Sequence, residues 1–188
     1  KVDMQSREMF SEALFGPNHP YGISTDENMY DELTTSDLRE LYHRLYTAEN
    51  AFVVCSGNID DDIYCAIENL ASQLRSGESV DVDFVAPTTT HYLERNIDSA
   101  LQSSIRVGRL LFPRTHPDFV GMQVVASILG GYFGSRLMQN LREEHGYTYG
   151  VMAAMVNFER EGYLAIATQV AKEHRDDALR EIYFEIER

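Results

Sequence analysis

Arg142 and Tyr149 stand seven positions apart, the first late in a helical stretch and the second in the β-rich run that follows it. Guanidinium and phenol are both hydrogen-bond donors, so side by side they can serve one peptide carbonyl. If that carbonyl becomes an oxyanion, preorganised donors of this kind stabilise it by about 3 kcal/mol. The spacing allows the meeting. Met138, Arg142 and His145 follow i, i+4, i+7 on a helix over 134–145, beside a core stripe of Leu137 and Leu141. Gly146 suits the C-terminal cap of that helix. In the next strand Tyr147, Tyr149 and Val151 share one face. From spacing alone, the plainer alternative weighs more: an arginine in a surface ion pair and a tyrosine capping the core.

Other chemistries find less support. Gly130, Gly131 and Gly134 precede this helix, but they lack the GxxxxGK spacing of a phosphate loop and no lysine follows them. A dinucleotide fingerprint follows a strand, whereas this cluster follows a helix. The glycines therefore read as a sharp corner between two helices, permitted by their backbone freedom. The six histidines, His19, His43, His91, His116, His145 and His174, include no pair at ligand spacing. His91 and Glu94 in "HYLER" match half of an HxxEH motif, but they fall in an expected strand, where i and i+3 point to opposite faces. A metal site made from this chain alone is not expected. There is no GxSxG elbow. Cys55 lies in an apolar run and reads as a buried core residue, while Cys65 lies in an expected helix.

The elements that must position the pair follow from hydrophobic periodicity. A helix ends near residue 14, "FGPNHPYGIST" is a loop, and a short helix is expected over 26–33. "TTSDLRELYHRLY" opens with capping residues and continues as a helix. "NAFVVCSGNI" is expected to be a buried strand. Asp60 caps a helix carrying Ile63, Ile67, Leu70 and Leu74, and residues 76–90 are loop-like. "HYLERNID" and "ALQSSIRVGRLLF" are expected as strands, and an apolar helix over 117–129 should be buried. A hairpin turning at "ERE" and a final helix complete the order. Hairpins with segregated helices predict an α+β two-layer sandwich with a mostly antiparallel sheet and helices on one face.

The 188 residues carry 30 acidic and 16 basic side chains, a net charge of −14, which argues against nucleic acid or an anionic membrane as a partner. A cationic peptide is compatible with it, although a solvated acidic surface is the commoner meaning. No apolar run is long enough to span a membrane. Both ends of the chain read as cut from a longer protein, and the compartment stays open between cytoplasm and periplasm.

Taken together, Leu129-Gly130-Gly131, Ser135-Arg136-Leu137, Leu141-Arg142-Glu143 and Gly146 to Tyr149 resemble the characteristic segment of the C-terminal half-domain of insulinase/pitrilysin-type zinc metallopeptidases, the family of mitochondrial processing peptidase. "LFGPNHPYG", "NAFVVCSGNID" and "HPDF" agree with the same pattern. The resemblance implies two related half-domains closing as a clamshell. One half carries HxxEH and binds zinc, which with a glutamate activates water. The other is metal-free and supplies an Arg–Tyr pair to the substrate backbone, here Arg142 and Tyr149. It further implies that residues 1–46 are the end of the preceding half and its connector, and that 47–188 are the metal-free half. The implied partners are a peptide substrate and a zinc-carrying half, in the same protein or in another subunit. The implied zinc lies outside this chain, and the fragment alone is expected to be inactive. The alternative is a non-catalytic peptide-binding or scaffold subunit of a processing-peptidase-like complex.

Overall fold

The structure, a computed structural model, describes Val2–Asp81, Asp83 and Val85–Arg188. Lys1, and Val82 and Phe84 of the expected 76–90 loop, lie outside the described residues. Two compact units divide the chain: Lys1–Ser24 with Ala86–Arg188, and Thr25–Val85.

The first unit opens with α1 (Val2–Phe15). The second contains α2 (Asn28–Asp31), α3 (Thr35–Leu45) and α4 (Asp61–Ala71). Local chemistry starts both longer helices of this unit. Thr34 and Asp37 form a reciprocal capping box on α3, and the Asp60 carboxylate accepts from the Ile63 amide at 2.9 Å on α4. The Thr34 hydroxyl and amide hold the Asp37 carboxyl below its usual value.

The rest of the first unit is built on an antiparallel sheet of β1 (Gln102–Leu111), β2 (Thr148–Asn157) and β3 (Gly162–Ala171), in the order β1-β3-β2. α5 (Phe119–Ala126) lies between β1 and β2 in the chain, and α6 (Arg175–Glu187) follows β3. β2 and β3 are the expected hairpin, closed where the Phe158 amide donates to the Glu161 carbonyl at 2.8 Å. β1 pairs with β3 from Gln102↔Ala171 to Leu111↔Gly162.

One face of the sheet presents Ile105, Val151, Ala153, Ile166 and Val170. Against it pack Leu129, Leu137, Met138 and Leu141 from the segment joining α5 to β2, with Ala178 and Ile182 of α6. Five of these, Leu137, Leu141, Val170, Ala178 and Ile182, are completely enclosed. Burying each of the four larger side chains contributes roughly 1.5–3 kcal/mol. α1 packs along β1, and its Phe10 ring meets Tyr163 edge-on at 5.8 Å. The architecture is α+β, as the element order predicts.

Three sequence expectations are corrected. Residues 51–59 form no strand; Phe52 is 88% exposed, and Cys55 is exposed, not a core residue. β-Propensity needs a partner strand to act on, and this segment has none among the described residues. Residues 91–98 are not a strand either. Side chains pin them as a loop: Tyr92 Oη donates to Glu94 at 2.6 Å, Arg175 pairs with Glu94, and Lys172 Nζ donates to the carbonyls of Ile97 and Asp98. Tyr92 first, then Arg175, holds the Glu94 carboxyl below the usual range. Finally, α5 is not buried on most sides. Phe119 and Ala126 are covered, while Val120, Val124 and Val125 face outward, because only one side of the helix meets the sheet layer.

Candidate functional site

The chain between α5 and β2 makes a corner, a helix and a strand entry, and each has a local cause. α5 runs into a π-helical turn, Ser127–Gly131, and the chain then extends at Tyr132. Gly130 sits where this turn presses on β2: a Cβ there would lie 2.5 Å from the Ala153 amide nitrogen and 2.7 Å from its Cβ. Its φ of −160° is open to any residue, so closeness of approach and not backbone freedom requires glycine here. That corrects the reason expected from the sequence, while the corner itself is present. Ser135 is fully buried after the corner.

Met138–Glu144 is wound as a π-helix, a form frequent at functional sites. Its inner side is fixed to α6 by a buried polar network. Arg136 Nε donates to Glu185 Oε2 at 2.9 Å, and Asn140 Nδ2 donates at 3.0 Å to Glu185 Oε1 and at 3.0 Å to Glu181 Oε2. Leu137 and Leu141 form the core stripe predicted from spacing. Gly146, at φ +65°, takes the left-handed position that ends the helix.

β2 then begins with an irregularity. Thr148 pairs with Val170 but Val151 with Thr168, so β2 spends one extra residue against β3 between these pairs. Threonine hydroxyls occupy the backbone groups freed by the bulge. The Gly150 amide donates to Thr148 Oγ1 at 3.1 Å, and Thr168 Oγ1 lies 2.9 Å from both the Gly150 carbonyl and Thr148 Oγ1. The bulge overturns the expectation that Tyr147, Tyr149 and Val151 share a face. Tyr147 packs on the core and stacks between His145 and His174 at 4.9 and 4.8 Å, and Val151 is buried. Tyr149 is turned out and is 90% exposed.

The outward turn brings Tyr149 to Arg142. The guanidinium carbon of Arg142 lies 5.0 Å from the Tyr149 ring centroid and 4.5 Å from that of Phe133. Both distances are within cation–π range. Arg142 Nε is also 3.4 Å from the Glu143 carboxylate. The side chain of Arg142 is 27% exposed, and no hydrogen bond among the described residues engages the Tyr149 hydroxyl. The two residues singled out by spacing are therefore brought together, the tyrosine exposed and the arginine largely covered. Phe133 was not picked. It lies nine positions before Arg142 across the corner, and no local pattern links them. The bulge did leave a signal, since a glycine follows Tyr149 inside a strand.

Among the described residues no group of three or more His, Cys, Asp or Glu side chains converges. No helix among the described residues is long and apolar enough to cross a membrane.

Known proteins resemble this chain in sequence and fold. Residues 32–188 match the pattern of the peptidase M16 inactive domain. An uncharacterised zinc protease of Mycobacterium leprae is 31% identical over 172 residues, which covers 85% of this chain and 37% of that protein. The chain thus spans well under half the length of the curated relative it matches. Among solved structures, a peptidase M16 inactive domain from Pseudomonas fluorescens superposes with a TM-score of 0.87 at 23% identity, covering 99% of this chain and 46% of that one. A chain of complex III2 from Candida albicans superposes with a TM-score of 0.82 at 13% identity, over 98% of this chain and 46% of its own. With a family pattern covering most of its length, and the corner, helix and strand entry of the zinc-metallopeptidase half-domain in place, the chain belongs to the peptidase M16 inactive-domain family.

Proposed function

We propose that this chain is the substrate-binding, metal-free half of a zinc-dependent endopeptidase that hydrolyses peptides or small unfolded proteins. The preceding half and its connector end within residues 1–46, and residues 47–188 form the metal-free half. The observation that carries the reading is the Arg142–Tyr149 pair: an exposed phenol ring 5.0 Å from a guanidinium whose contact to Glu143 is a loose 3.4 Å. The zinc-protease names of the curated relatives support the reaction class. No side-chain cluster described here fits zinc, so in this reading the metal belongs to the other half.

Within that reading the pair acts on a peptide carbonyl. Arg142 donates from the in-plane edge of its guanidinium and Tyr149 from its hydroxyl. Both bonds strengthen as charge develops on the carbonyl oxygen, which is the condition for raising the rate as well as the binding. In the intact protein, Arg142→Ala and Tyr149→Phe should each lower kcat/KM for peptide hydrolysis by at least about tenfold, equivalent to about 1.4 kcal/mol. The melting temperature should stay unchanged. Unaltered hydrolysis in both variants rejects the role.

A second reading has one observation in its favour. The same fold occurs in a chain of complex III2, so the chain also suits a non-catalytic scaffold or peptide-binding subunit. Peptide binding without hydrolysis, in a full-length protein given zinc, selects this reading.

A further inference from the structure

We infer that Phe133 is a positioning residue for Arg142: its ring fixes the plane of the guanidinium so that the N–H edge is presented to substrate. The inference rests on the peptidase reading above. Three observations support it. The Arg142 guanidinium carbon stands closer to the Phe133 ring, at 4.5 Å, than to the Tyr149 ring, at 5.0 Å. Among the described residues the one carboxylate paired with Arg142, that of its chain neighbour Glu143, touches Nε at 3.4 Å, too long for a good charge-assisted bond. And Phe133 is itself 62% exposed, so packing into the core does not explain its position.

Chemistry favours rings for this task. A guanidinium held by a carboxylate spends N–H groups on the partner that holds it. Held through its flat face by an aromatic ring, it keeps all five donors in the open plane. Arg136 illustrates the first case, committed to Glu185 at 2.9 Å. Arg142 is nearer the second: its guanidinium carbon lies 4.5 Å from the Phe133 ring centroid, and its carboxylate contact, to Glu143 at 3.4 Å, is loose. Tyr149 alone cannot supply the clamp and remain free for substrate, because its ring is exposed over most of its surface and its hydroxyl is itself the second donor. Phe133, with no polar group, holds without competing.

This also gives the glycine corner a task at the site. Gly130 lets the turn press on Ala153 of β2, the strand that also carries Tyr149, and the chain then extends through Tyr132 to Phe133. The aromatic residue three positions after Gly130 therefore arrives beside a guanidinium nine positions further on.

The test is a double-mutant cycle in the intact, zinc-loaded protein, read as kcat/KM on a fluorogenic peptide. Phe133→Leu keeps apolar bulk and removes the ring. It should lower kcat/KM about fivefold, and Phe133→Tyr should recover at least half of the loss. In an Arg142→Ala background, Phe133→Leu should change kcat/KM by less than about twofold, because the group it positions is gone. An equal loss in both backgrounds overturns the inference and makes Phe133 a direct substrate contact or a structural residue. A silent Phe133→Leu with a damaging Arg142→Ala overturns the inference alone and leaves the Arg–Tyr reading standing. A silent Arg142→Ala overturns both.

Discussion

Arg136 and Arg142 sit six residues apart in one short stretch, yet their guanidiniums are engaged in different ways. Arg136 is committed to a carboxylate. Its partner Glu185 is only 3% exposed, and Asn140 donates to that same carboxylate. Arg142, whose side chain is 27% exposed, lies against two aromatic rings and has only a loose 3.4 Å contact to the Glu143 carboxylate. In the proposed reading, one cation is spent on holding the fold and the next is kept for a ligand. What separates them is the partner: a buried carboxylate consumes guanidinium donors, whereas an exposed ring leaves them free.

That contrast can be broken most sharply by removing Arg136. Arg136→Ala leaves the buried Glu185 carboxylate with its main cation gone. The Arg136 side chain is 34% exposed, which places the expected loss below that of a fully enclosed pair, at about 2–3 kcal/mol. Arg142→Ala should shift stability by much less, about 0.5 kcal/mol, in the same denaturant titration, because it gives up only cation–π contacts and a loose ion pair. Equal losses in the two variants would erase the distinction. Gly130→Ala tests the corner that carries the outward group. A methyl there meets the backbone nitrogen of Ala153 at 2.5 Å, so the expected cost is about 1–3 kcal/mol. Ala153→Gly should not rescue it, because the nearest obstacle is backbone and not the Ala153 methyl at 2.7 Å. Full rescue would show that side-chain crowding alone demands the glycine. The smallest effect is in hydrogen exchange. Amides of β3, bonded on both sides, should exchange slowest, and those of residues 51–56 near the fast limit. Comparable protection in the two segments would mean that residues 51–56 do pair with a strand in solution.

How much of this was legible varied with the range of the interactions. The α3 capping box and the Asp60 cap rest on residues three apart, and both were readable from the chain. So was the β2–β3 hairpin, set by alternation around a short turn. The expected strands over 50–59 and 91–98 failed because a strand is completed only by a neighbour, and apolar β-rich composition does not supply one. The candidate site divides in the same way. Arg142 and Tyr149 were recognisable by type, spacing and family pattern. Their meeting depends on a bulge that no alternation rule predicts, since one extra residue reverses which side chains face the core.

The sequence by itself determined the α+β class, the helix caps, the hairpin, the metallopeptidase half-domain family and the two residues proposed to meet the substrate. Each of these is written in local spacing or in a contiguous motif. Only the tertiary structure decided that Tyr149 turns outward, that Phe133 lies over Arg142, that Gly130 is required by Ala153, and that Arg136 belongs to Glu185. Those four facts join residues that are distant in the chain or fix which way a strand faces. They arise from packing two layers together, where free energy is gained by contacts whose partners the chain order does not name.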